Sequence, residues 1–388
     1  VHGMDAPACR KGDLLSEVSA GGCRNEKAQV ESDSVSVERR EGVDMGTIGS
    51  DPAAVAATLL PAARRIDVHP SAPIPVQGPG VGDGVRTVLG DTGLQIFPLI
   101  LGGSEFGWNV DLRRSHEILD RYIAFGGNVV QTADSFAGGR SEHIVGQWMR
   151  SRGLRDSMVL AARVGGHADN PGLGSVNLVR AVEASLTRLG TDHIDVLYLD
   201  GQDTKTHLED TLATCEWLVE SGKVSHLAAS GFSAERLVEA RILVSAGYPR
   251  LAALETHYSL LNRAGFEGDL RLVTGAQGMA VTPSHSLEHG FLSGRHRSRS
   301  RLGQSARGIQ LSGNLNRRGN RVLRAMDAVS AELGVQPAAI AIAWVLAQRG
   351  VAAPIVSAFE TAHIDELVQG VGVRLSRANL TELGRAAD

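Results

Sequence analysis

From residue 86 to the end, short β-branched runs alternate with amphipathic segments, and that alternation most narrows the folds open to this chain. A strand-period run followed by a helix-period run reads as a βα unit, which needs a parallel neighbour to pair with. The spacing predicts strands at 98–102, 128–133, 158–164, 194–199, 224–230, 251–257, 279–282 and 353–357. It predicts helices at 113–125, 141–151, 177–189, 208–220, 234–244, 321–333, 337–348 and 363–369. Ahead of them, 87–89 and 94–97 flank Gly90-Asp-Thr-Gly, a hairpin turn sequence. Eight such repeats without a second domain boundary predict an α/β fold, a single (β/α)8 TIM barrel over 86–388. Its site is expected where the strands end and the βα loops begin.

The 388 residues, 43% of them hydrophobic, suffice for a large core. A net charge of -4 without a segregated basic domain argues against nucleic acid as the main partner. Membrane attachment is not expected either, since no apolar run approaches the ~20 residues of a spanning helix. Cys9, Cys23 and Cys215 lie far apart, without metal-ligand or redox spacing. That points to a reducing cytoplasm and no structural metal. Residues 1–85 read as a mostly disordered N-terminal extension, with a Pro-rich linker at 69–75 and one Ala-rich helix at 51–65.

Residues 128–146 read NVVQTADSFAGGRSEHIVG: a strand, a Gly-rich turn, and a helix entered through Arg140-Ser141-Glu142. This stretch resembles the signature of the aldo/keto reductase superfamily, as a divergent bacterial member. The resemblance spans about three hundred residues and includes LTRLGTDHIDVLYL at 186–199, ESGKVSHLAASGFSAERL at 220–237, HYSLLNR at 257–263 and GFLSG at 290–294. It implies that the hairpin caps the bottom of the barrel.

The resemblance also implies carbonyl reduction by a bound nicotinamide, with a tyrosine acid, a lysine that tunes it, an aspartate paired with the lysine, and a histidine that orients the carbonyl. At those four places this chain has Phe136, Arg163, Gln131 and Asp200. A phenyl ring has no proton to give, and a guanidinium with a pKa above ~12 is a poor donor at neutral pH. The places for nicotinamide recognition hold Ser230, Gly231 and Glu255, and Ser284 stands where an aromatic ring would stack. At the phosphate-gripping end the chain reads Ser357-Ala-Phe-Glu, where Phe359 cannot neutralise a phosphate and Glu360 repels one. No cofactor is therefore expected; NADP belongs to the alternative reading.

The residues expected to carry chemistry are Asp200, Arg163, His285, Asp134 and Glu255, with Trp108, Gln131, Phe136, Ser284 and His257 forming the substrate pocket. A salt bridge is predicted between Arg163 and Asp200, because a buried guanidinium requires a partner. Asp134 has a second reading as a turn cap and His257 as a structural residue. The run from Arg295 through Arg297, Arg299, Arg301 and Arg307 reads either as a basic lid over an anionic small molecule or as a solvated loop. Three functions remain open. The first is a cofactor-independent isomerase, lyase or cyclase acting on a small metabolite, possible in specialised metabolism. The others are an NADP-dependent reductase with atypical residues and a non-catalytic regulatory or interaction protein.

Overall fold

The computed structural model describes residues 85–298 and 308–388. The extension expected over 1–85 lies outside them, Val85 apart, as do its helix and Arg299, Arg301 and Arg307. The first described element is an antiparallel hairpin, β1 (Thr87–Val88) and β2 (Gln95–Ile96). Its turn presses Gly90, at φ +57°, so close to the carbonyl oxygen of Ala252 that a Cβ would lie 2.3 Å away. Only glycine fits there. Leu89 and Ile96 then join Ile100, Val129, Val196 and Ala253 in the apolar floor of the barrel.

Eight parallel strands follow: β3 (Ile100–Gly102), β4 (Val129–Ala133), β5 (Val159–Val164), β6 (Ile194–Asp200), β7 (Val224–Ser230), β8 (Leu251–His257), β9 (Ala280–Ser284) and β10 (Ile355–Val356). They pair in the order β10-β3-β4-β5-β6-β7-β8-β9. The two ends of the row meet just ahead of β10, where Val281 N donates to Gly350 O and Ala352 N donates to Val281 O, both at 2.9 Å. Strands covered on both faces read as near-continuous apolar runs, which is why they were legible as strands.

The helices packed around the strands are α1 (Leu112–Ala124), α2 (Arg140–Arg152), α3 (Ser175–Leu189), α4 (Leu208–Glu220), α5 (Ala234–Ser245), α6 (Asp269–Gln277), α7 (Gly308–Ser312), α8 (Arg317–Leu333), α9 (Pro337–Leu346), α10 (Thr361–Gly372) and α11 (Arg377–Ala387). The helices α6, α7 and α11 were not expected. In α6 a glycine at 275 interrupts a weak apolar stripe. The capping box of α11 uses Asn379 in place of the usual Glu or Gln. No single helix among the described residues is long and apolar enough to cross a membrane.

The Gly-Arg-Ser-Glu entry of α2 fixes the helix to its strand. Ser141 Oγ donates to Gly103 O at 2.8 Å and lies 2.9 Å from Thr132 Oγ1, while the fully buried Glu142 pairs with Arg188 on α3. One turn on, a Cβ on Gly146 would lie 2.1 Å from Leu189 O, so α2 and α3 can touch only at a glycine.

Candidate functional site

Strand register brings the polar residues to one end of the barrel. Gln131 stands beside Gly102, Arg163 beside Ala133, Ser230 between Asp200 and Glu255, and Ser284 beside His257. A cavity of about 550 Å³ opens there, lined by Gln131, Phe136, Arg163, Glu255, Ser284 and His285, and it runs on to Ser357 and Phe359 past β10. That volume suits a small molecule.

Arg163 is the hub. Its Nη1 donates to Ser230 Oγ at 3.2 Å and lies 3.5 Å from Glu255 Oε1, and its Nε lies 3.8 Å from Asp200 Oδ2. The expected Arg163–Asp200 pair therefore exists as a loose ion pair, shared with a nearer carboxylate that the prediction did not include. Glu255, 6% exposed, also accepts a 2.8 Å hydrogen bond from Gln131 Nε2 on Oε2. Oε2 is thereby hydrogen-bonded and Oε1 faces Arg163 in an ion pair, while Arg163 Nε makes no hydrogen bond among the described residues. The Arg163 guanidinium also sits 5.3 Å from the centre of the Phe136 ring, an aromatic face that holds a cation without accepting or giving a proton.

A second group lies at the end of β8 and in the loop after β9. The buried Glu288 accepts from Ser259 Oγ and lies 2.8 Å from His257 Nε2. The His257 ring centre is 5.0 Å from that of His285, which is 4.6 Å from that of His289. Burial pushes the Glu288 carboxyl up, but the hydrogen bonds from His257 and Ser259 outweigh it and hold the group below its ordinary value. His285, Glu288 and His289 all have positive φ, at 56°, 48° and 56°. Non-glycine residues pay about 1–3 kcal/mol each for such backbone, and strain of this kind gathers at functional sites. Glu288 and His289 were missed because reading stopped at strand ends. The polar run Ser284-His-Ser-Leu-Glu-His before a glycine was the available signal.

Other expected residues lie elsewhere. Asp134, 1% exposed, does not line the cavity and accepts from Gly165 N at 2.9 Å, a tie to the loop after β5 and not to the turn that follows Asp134 itself. Asp200 and His257 stand behind lining residues and do not themselves line the cavity. Trp108 is 71% exposed and supplies no pocket wall, because the Glu105–Val110 turn carries it outward while its neighbour Asn109 faces in. The described part of the basic segment is largely neutralised. Arg295 lines the cavity but pairs with Glu366, and Arg297 holds Asp327 through two 2.7 Å hydrogen bonds. Past β10, Phe359 N donates to His363 Nδ1 at 3.2 Å, and His363 Nε2 lies 3.2 Å from Glu360. Burial and the nearby Arg295 lower the His363 pKa. Among the described residues, no group of three or more His, Cys, Asp or Glu side chains could hold a metal ion.

The arrangement is that of a (β/α)8 barrel with a cavity at its mouth lined by charged residues from the strand ends. Residues 98–387 match the aldo/keto reductase family model, and the chain belongs to that family. It is 28% identical over 319 residues to norsolorinic acid reductase of Aspergillus flavus, covering 78% of this chain and 80% of that one. A putative aryl-alcohol dehydrogenase of Saccharomyces cerevisiae is 28% identical over 75% of this chain and 83% of its own. A probable voltage-gated potassium channel subunit beta of Oryza sativa subsp. japonica is 28% identical over 74% and 90%.

Proposed function

We propose that this barrel is an enzyme that moves a proton on a small carbonyl metabolite without a nicotinamide cofactor, in a reaction of the isomerase, lyase or cyclase type. The observation that carries the reading is Phe136 packed on Arg163 at the barrel mouth. A ring with no hydroxyl stands where a reductase of this family needs its acid, and it faces a cation suited to a developing oxyanion. Two carboxylates, Glu255 and Asp200, offset the guanidinium charge, and Gln131 holds the first of them.

A nicotinamide dinucleotide fits these residues poorly. Glu255 is already committed to Gln131 and Arg163, Gly231 offers no side-chain contact, and Ser284 gives no stacking face. At the phosphate end the cavity meets Phe359, while Arg295 is tied to Glu366. Losing two such contacts at about 1.5–3 kcal/mol each weakens binding by roughly two to four orders of magnitude. That the metabolite belongs to specialised metabolism draws its support from relatives named for norsolorinic acid. The test is turnover of NADPH with a panel of aromatic and aliphatic aldehydes. We expect no oxidation above the protein-free rate, for the wild type or for Phe136→Tyr, and aldehyde-dependent oxidation by the wild type overturns the proposal.

A further inference from the structure

The mouth network leaves the proton carrier unassigned, since Glu255 is tied to Gln131 and paired with Arg163. We infer that His285, His289 and His257, anchored by Glu288, act as one acid–base unit on the cavity wall, with His285 as the residue that exchanges a proton with substrate. The inference rests on the proton-transfer reading above and names its substrate class, a carbonyl compound with an acidic hydrogen on the neighbouring carbon.

The geometry supports this assignment in three ways. His285 is the central ring, 5.0 Å from His257 and 4.6 Å from His289, while the outer two are 6.4 Å apart. His285 and His289 line the cavity together with Arg163. Glu288 fixes the position of His257 from behind, at 2.8 Å, and shares Ser259 as a second anchor, so it is a positioning residue that acts through the rings. The loop accepts positive φ at three non-glycine residues to hold this arrangement, and each of the three belongs to the unit.

In the step itself, the C–H bond beside the carbonyl breaks and its proton goes to a ring nitrogen of neutral His285. The electron pair moves onto the substrate and leaves an enolate, whose oxygen Arg163 can hold. The imidazolium then returns the proton to a different substrate atom, which gives an isomer with no oxidant or reductant consumed. The remaining ionisable groups that border the same cavity are Arg163, Glu255, Arg295, His296, His363 and Glu366.

The test needs no substrate. Histidine-labelled protein is titrated by NMR, with the ring signals assigned through His257→Gln, His285→Gln and His289→Gln variants. In Glu288→Gln the His257 ring signals should move, and those of His285 should move with them, as loss of a shared anchor requires. Glu288→Asp, which keeps the charge, should restore both. A shift of His257 alone, or of neither ring, overturns the inference. Because no nucleotide is present, that result is independent of whether the NADPH assay upholds the proton-transfer reading.

Discussion

Arg163 decides how the mouth of the barrel behaves. It is one cation among Asp200, Glu255, Ser230 and the Phe136 ring, and its side chain is only 21% exposed. Arg163→Met leaves two carboxylates crowded together, and we expect about 3 kcal/mol of lost stability in denaturant unfolding. Adding Glu255→Gln should return part of that loss. Glu288 carries a pH signature of its own. Because its folded pKa is depressed, its contribution is present above its ordinary value of 4.5 and is lost as pH falls through the lower folded value. The stability gap between wild type and Glu288→Gln should therefore be widest above pH 4.5 and shrink on acidification, and urea unfolding at a series of pH values measures it. Cys215 is buried and burial pushes its thiol up to about 12, so it should resist thiol reagents in the folded state.

At the level of elements, two devices in the sequence can be weighed directly. Gly146 lets α2 meet the end of α3, and Gly146→Ala should cost about 1–3 kcal/mol, read as a lower thermal midpoint. Ser376 caps α11 by accepting from Asn379 N, and Ser376→Ala should cost about 1 kcal/mol in the same measurement. Elements with apolar runs or clear amphipathic spacing were legible, β4 to β9 and α1 to α5 among them. Their limits moved by a few residues: β10 is Ile355–Val356 where 353–357 was expected, because backbone pairing and not apolarity ends a strand. The site was legible where strand register alone fixes a residue, as at Gln131, Arg163 and Glu255. It was not legible where the chain leaves the strand. His257 and Glu288 are 31 residues apart and meet only because β8 and β9 are neighbours, and Trp108 is turned outward by loop geometry that no periodicity encodes.

Over the molecule as a whole, the barrel is that of the aldo/keto reductase family, and the proposal is that the chemistry at its mouth differs from nicotinamide-dependent reduction. The hairpin floor, the Ser141–Gly103 tie, the Glu142–Arg188 pair and the closure at Val281 hold the barrel together. At its mouth stand a carboxylate bonded to Gln131, a phenyl ring beside a guanidinium and a loop of histidines, and the proposed reading is that these do not hold a nicotinamide. The most direct test of that contrast is thermal unfolding of the purified full chain across a range of NADPH concentrations. A Kd of about 1 µM would add about 2.7 kcal/mol of stability at about 100 µM ligand. The account predicts an unchanged midpoint over that range, and a midpoint that climbs with NADPH to this extent contradicts it.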